Sequence, residues 1–136
     1  MSKWWHLWKC QAEEMFRRMV FNVVARNQDD HTKNISFLMD KQGRWSLSPA
    51  YDMSWAYNPK GTWTAAHQMS INGKRDGFSN EDFLAVAKHF DISKPQEIIN
   101  TVCEAALAFG DFAREAGVPD DIVKQMMPEF RTYLKK

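Results

Sequence analysis

The sequence has 136 residues, with 18 basic and 17 acidic side chains and a formal net charge of +1. That length fits one compact domain, and a composition of 44% hydrophobic and 26% charged residues excludes intrinsic disorder. The balanced charge offers no electrostatic footprint for nucleic acid or an anionic membrane surface. No apolar run approaches the ~18 residues of a membrane span, and the start lacks a signal-peptide core, so a cytoplasmic location is expected. Cys10 and Cys103 share no metal-ligand or redox spacing and read as free thiols. The chain holds six Trp, nine Phe and eight Met. Part of this bulky apolar surface is expected to face another domain.

From Trp4 to about Arg26, apolar residues recur at three- and four-residue steps: Trp4, Trp8, Ala12, Met15, Met19 and Val23, with Phe16 and Val20 beside them. This predicts a helix, supported by Glu13–Arg17 and Glu14–Arg18 as i,i+4 pairs. Asn27 is a stop signal. Ile35, Phe37 and Met39 then alternate with Ser36, Leu38 and Asp40, Asp40-Lys41-Gln42-Gly43 has turn chemistry, and Trp45 and Leu47 return. Residues 35–48 therefore read as a β-hairpin ended by Pro49.

Residues 49–78 show little periodicity, and a loop this long in a small domain is usually functional. Within it, Asn72-Gly73 has the chemistry of a tight turn. Ser79 and Asp82 form a capping box that opens a helix to about Phe90. Ser93 and Gln96, with Pro95 in the first turn, open another. It carries Ile98, Ile99, Val102, Ala106, Phe109 and Phe112 on one face and ends near Gly117. Pro119 starts a last helix through Ile122, Val123, Met126, Met127, Phe130 and Leu134, with a kink expected at Pro128.

The chemically informative segment is Asn27-Gln28-Asp29-Asp30-His31-Thr32-Lys33-Asn34. Asp29 and Asn34 stand at the D-x-x-x-x-N offset by which protein kinases place a catalytic Asp and a metal-binding Asn. An Asp at such a position accepts a hydroxyl proton, and an Asn supplies a neutral oxygen to Mg²⁺, which prefers hard donors. Kinases take a second, anionic ligand from an Asp after the following hairpin. Asp52 stands there, just past the predicted second strand.

Phe21-Asn22, the run from Asn27 through Phe37, and Leu47-Ser48-Pro49-Ala50-Tyr51-Asp52-Met53 together resemble the C-terminal lobe of HipA-type kinases. These are toxin serine/threonine kinases of bacterial toxin–antitoxin modules. His67-Gln68-Met69-Ser70-Ile71-Asn72-Gly73-Lys74-Arg75 is similar as well, and the likeness runs from about residue 15 to about residue 117. It implies a mainly α-helical, kinase-like C-terminal lobe, residues 1–136 forming one domain with one β-hairpin next to the catalytic loop. It also implies Mg²⁺-dependent transfer of the ATP γ-phosphate to a protein serine or threonine. In that scheme Asp29 is the catalytic base and His31 orients that Asp or the phosphates. Lys33 contacts phosphate, and Asn34 and Asp52 bind Mg²⁺. Asp30 occupies a position where the family also carries Gly, and it is read as a neighbour of the base, with Asp30 as the base itself the alternative. The implied partners are a small DNA-binding antitoxin of the HipB kind or the family's N-terminal lobe.

The nucleotide loop and phosphate-binding lysine of that lobe have no counterpart here. There is no G-x-x-x-x-G-K-[ST] and no G-x-G-x-x-G. The chain is expected to be a C-lobe alone, weakly active or inactive by itself. Two other readings compete. One is a non-catalytic module that binds an antitoxin or a partner lobe through exposed aromatics. The other is a metal-dependent phosphohydrolase built on Asp29, Asp30 and His31, which lacks further ligands at helical spacing. Asp29 and Asp30 also have a plain reading as helix-end turn residues. Tyr51, Trp55, Tyr57 and Trp63 read equally as a docking surface or as filling beneath the long loop.

Overall fold

The computed structural model describes residues 3–136, with side chains from Leu7 onward; the predicted apolar position Trp4 has its side chain outside that range. The elements in order are α1 (Lys3–Val24), β1 (Phe37–Met39), β2 (Trp45–Leu47), α2 (Asn80–His89), α3 (Pro95–Leu107), α4 (Phe109–Glu115) and α5 (Asp120–Met126). Single 3₁₀ turns occupy Thr32–Asn34, Met127–Glu129 and Thr132–Leu134. Among the described residues, no helix is long and apolar enough to cross a membrane.

The core forms where α1 packs on α3, with α2 and the chain's last turn closing it. Phe16, Val20, Val23 and Val24 of α1 meet Phe83, Ile99, Val102 and Cys103, and Leu134 seals one end. Their three- and four-residue spacing puts them on one helix stripe, and burying a stripe of this kind is the main driving force for the fold. Arg18 bonds Glu14 at 2.8 Å, as the sequence pattern predicts. Arg17 lies 3.8 Å from the same Glu14, in place of the expected Glu13 pair. Cys10 and Cys103 are free thiols, the first exposed and the second buried; burial pushes the Cys103 thiol up.

The hairpin pairs Phe37 with Leu47, Leu38 with Ser46 and Met39 with Trp45. Asp40 caps its turn, accepting from the backbone N–H groups of Gln42 and Arg44 at 2.9 Å each, while Gly43 takes the positive φ of 77° the turn requires. The hairpin lies within the predicted residues 35–48, but it is not half-buried. Phe37, Leu38, Met39 and Trp45 are 54–64% exposed. Polar anchors hold it to α1: Leu47 N–H donates to Gln11 Oε1 (2.6 Å) and Arg18 Nη2 to the Ser48 carbonyl (2.8 Å).

Three boundary expectations need correction. The cap of α3 is Lys94, in the left-handed region at φ 48°, with no side-chain cap from Ser93; only the Pro95 start holds. The helix after it does not run on to Gly117. It breaks at Ala108 into α3 and α4, and Phe112, expected on the buried face, is 62% exposed. Pro128 does not kink the last helix but ends it. A proline ring removes the N–H and clashes with the preceding turn, so the chain passes through a 3₁₀ turn and is extended at Phe130. Phe130 to Leu134 therefore form a strut across the body rather than a helix face.

The capping box at the start of α2 is present as predicted. Its Asp82 also accepts Asn72 Nδ2 and Lys74 Nζ, each at 2.9 Å. This ties the Asn72-Gly73 turn, whose residues both have positive φ, to the helix. Burial pushes the Asp82 carboxyl up, but the bonds from the Ser79 backbone, Asn72 and Lys74 outweigh it and hold it well below the ordinary value of 3.8. A carboxyl lowered in the folded state stabilises above its unfolded pKa, and that contribution fades as pH falls through the folded value. Asp82→Ala should therefore cost about 1–3 kcal/mol at pH 7. Urea denaturation should show the gap to wild type narrowing as the pH is taken below about 4.

Candidate active site

The segment after α1 is stitched to two other parts of the chain. Ala25 and Asn27 still donate back to Phe21 and Asn22 (2.8 Å each), with Arg26 turning the chain at φ 57°. Asn27 and Ala56 then form a parallel bridge, in which Gln28 N–H donates to the Ala56 carbonyl (3.1 Å) and Ala56 N–H to the Arg26 carbonyl (3.0 Å). The Asn27 side chain is buried. Its amide donates to Asn22 Oδ1 (2.9 Å) and to the Asp52 carbonyl (3.1 Å). One asparagine thus joins the end of α1, the predicted catalytic loop and the Asp52 turn. Asp52 itself sits in the left-handed region at φ 55°, a conformation Asp tolerates better than bulky residues.

Burial alternates along the loop. Gln28 and Asp30 are buried, while the Asp29 side chain between them is half exposed. Asn34 Nδ2 donates to the Asp29 carbonyl at 3.0 Å, closing the loop on itself. His31 Nε2 lies 3.9 Å from Asp29 Oδ1, and His31 Nδ1 is buried without a hydrogen-bond partner. The Lys33 side chain is exposed, and its carbonyl accepts the Tyr51 hydroxyl at 2.8 Å, a second tie between the loop and the Asp52 turn.

A cavity of about 510 Å³ opens beside this loop. Its wall is mostly apolar, from Met15, Phe16 and Met19 of α1, Phe37 and Leu47 of the hairpin, and Met69 and Ile71. Its polar rim includes Asn27, Asp30, His31, Asn34 and Asp52. Asn34 and Asp52 thus line one cavity from opposite ends of the hairpin, as does His31. Asp29 and Lys33 do not line it; Asp29 stands next to it beside His31. Among the described residues, neither Asn34 Oδ1 nor the Asp52 carboxylate is taken up by a hydrogen bond. No group of three or more His, Cys, Asp or Glu that could hold a metal occurs among the described residues. A site using Asn34 and Asp52 would therefore offer two protein oxygens. That suits Mg²⁺, which keeps several waters and is completed by substrate phosphates.

Asp30, adjacent to the predicted base, faces inward. Its Oδ2 lies 2.8 Å from His67 Nδ1, and its Oδ1 accepts the Gln68 N–H at 2.8 Å. Asn27, Gln28, His67 and Arg131 all help shape the loop, and periodicity in the sequence does not reveal them as a group. Besides a few near neighbours, they have partners 25 to 108 residues away, and such pairings leave no local signal. Of the aromatic cluster, Tyr57 lies under the Arg26 guanidinium at 4.3 Å and meets Trp55 edge-on. Trp63 is exposed.

The family described as HipA-like C-terminal domain matches residues 5–109. The chain belongs to this family, and the mainly helical lobe with its single hairpin fits the family's kinase-like C-terminal architecture. A curated relative named "Putative kinase Y4dM", from Sinorhizobium fredii, is 32% identical over 97 residues. That match covers 71% of this chain and 24% of the relative, so the chain spans about a quarter of the length of the curated relative it matches.

The Asn27 clamp has a measurable consequence. Asn27→Ala should cost about 1–3 kcal/mol through the buried groups it leaves unpaired. Hydrogen exchange at the Ala56 and Gln28 amides should speed up more than exchange in α3.

Proposed function

We propose that this lobe carries the metal-binding and hydroxyl-activating side of a serine/threonine protein kinase of the HipA kind. The observation that carries the reading is the pairing of Asn34 Oδ1 and the Asp52 carboxylate. Both lack a hydrogen-bond partner, both face one cavity, and both are locked to the Asp29 loop through backbone contacts. Bound with ATP, Mg²⁺ would supply neutralisation of the phosphate charge. Asn34 and Asp52 are the residues that would hold it.

Asp29 is the candidate base. Its carboxylate is half exposed and can accept the proton of an incoming serine or threonine hydroxyl. The hydroxyl oxygen then bonds to the γ-phosphorus, and the bond from that phosphorus to the β–γ bridging oxygen breaks, releasing ADP. His31 lines the cavity with its Nε2 3.9 Å from Asp29 Oδ1, which suits it to hold either that carboxylate or a phosphate oxygen. Lys33, exposed beside the loop, supplies positive charge near the phosphates. Removing one well-placed donor commonly costs 10²–10³ in rate. The lobe's own share of the site is small, so efficient transfer requires a nucleotide-binding lobe.

A non-catalytic role is the second reading, in which the lobe docks a partner lobe or a small antitoxin. The open apolar hairpin favours it. The two readings separate on metal binding. In NMR spectra of this chain, Mn²⁺ should broaden the amides of residues 29–34 and 52 first, and Asp52→Asn should abolish that selectivity while leaving the fold intact. Broadening spread over other carboxylates, or unchanged in Asp52→Asn, would remove the kinase reading. In a protein joining this lobe to a nucleotide-binding lobe, Asp29→Asn should lower phosphoryl transfer by at least 10²-fold, a loss consistent with removal of a general base.

A further inference from the structure

The most heavily buried polar cluster runs inward from Asp30, on the cavity's rim, to His67 and Arg131, which do not line the cavity. His67 is fully buried and stands between Asp30 and Arg131. Its Nδ1 is 2.8 Å from Asp30 Oδ2, and its Nε2 is 2.8 Å from Arg131 Nη1. A guanidinium only donates, so Nε2 is the acceptor and the ring proton sits on Nδ1, donating to Asp30. His67 is therefore a neutral imidazole held in one tautomer from both sides. Its backbone is fixed too: its N–H donates to the Arg75 carbonyl (3.1 Å), and its carbonyl accepts Arg75 Nε (2.6 Å). The ring also packs edge-on against Phe78, 5.3 Å between centroids.

Arg131 is a hub of its own. It donates to the Val23 carbonyl and Gln28 Oε1 at 3.3 Å each and pairs with Asp76, and its N–H donates to the Val24 carbonyl at 2.9 Å. Gln28 in turn accepts Arg26 Nη1 (3.1 Å) and donates to the Thr64 carbonyl (2.8 Å). The two buried residues that flank Asp29 in sequence, Gln28 and Asp30, are thus gripped by one network. Burial pulls the Arg131 guanidinium below its usual value, helped by nearby Arg26 and opposed by Asp76, yet it stays a cation at neutral pH. Its charge is balanced by Asp76 directly and by Asp30 through the imidazole.

We infer that His67 is a positioning residue for Asp29: by holding Asp30 inward, and being held by Arg131, it fixes the outward setting of the carboxylate beside the cavity. The inference rests on the phosphotransfer reading above for Asp29's role, but the geometry it predicts can be tested without it. Arg131 lies beyond the family-matched residues 5–109. The strut formed after Pro128 therefore belongs to the site's support. The imidazole donates to Asp30 and not to Asp29, and so acts on Asp29 through the backbone that joins them.

Three variants separate this role from general stabilisation. Asp30→Ala removes the inward anchor without introducing bulk, and His67→Phe keeps the ring but removes the donor. His67→Asn returns an N–H close to the Nδ1 position. In this chain, three-bond couplings of Asp29 should show one side-chain rotamer in wild type, averaging in Asp30→Ala and His67→Phe, and return toward one rotamer in His67→Asn. In a protein joining this lobe to a nucleotide-binding lobe, kcat should fall about 10²-fold, the scale expected for a misplaced reacting group. KM for ATP should stay unchanged, and His67→Asn should recover at least tenfold of the loss. An unchanged Asp29 rotamer in folded Asp30→Ala overturns the inference, as does a loss in His67→Asn equal to that in His67→Phe. Absence of transfer in the wild-type protein would sink the kinase reading instead. The rotamer measurement would still decide the positioning role. If His67→Phe does not fold, Asp30→Ala and His67→Asn carry the comparison.

Discussion

A carboxylate taken out of water is costly unless it is hydrogen-bonded, and Asp30 meets that demand at both oxygens. One oxygen accepts a buried imidazole and the other a backbone N–H. The rest of the loop follows. With Asp30 and Gln28 committed to the interior, the residue between them is left facing out, and that residue is Asp29. The half exposure of Asp29 is thus a by-product of its neighbours' burial. No hydrogen bond from another side chain orients the Asp29 carboxylate among the described residues.

The same logic extends from the loop to the Asp52 turn. Asn27 binds the Asp52 carbonyl, the Asn27–Ala56 bridge pins the chain beyond it, and the Tyr51 hydroxyl returns to the Lys33 carbonyl. Every one of these contacts uses backbone carbonyls or amides. The side chains of Asn34 and Asp52 therefore keep their oxygens for a ligand while their main chains stay fixed. Separating the groups that hold a site from the groups that act in it is how a small lobe can be rigid and still reactive.

The apolar cavity and the hairpin make a second pattern. The hairpin leans on α1 through Gln11 and Arg18 rather than through packed side chains, and its apolar residues are left in solvent. Two short strands are marginal alone, so these polar anchors give the hairpin its place. The curated relative that the chain matches is about three times as long as this chain.

Much of the helical frame was legible in the sequence, because three- and four-residue spacing and the Ser79/Asp82 capping box are local signals. The hairpin was equally legible from alternation and turn chemistry. The spacing of Asp29, Asn34 and Asp52 around that hairpin named the candidate residues, and the family likeness gave them roles. Tertiary structure alone decided which way each one faces. Pro128 stopped a helix that apolar periodicity would have continued, and the resulting strut delivered Arg131 to His67, 64 residues away in the chain. Helical spacing is written in neighbouring residues. A buried ion and hydrogen-bond network is written only in the meeting of distant ones, so Asp30, His67 and Arg131 acquire their meaning once the chain has closed.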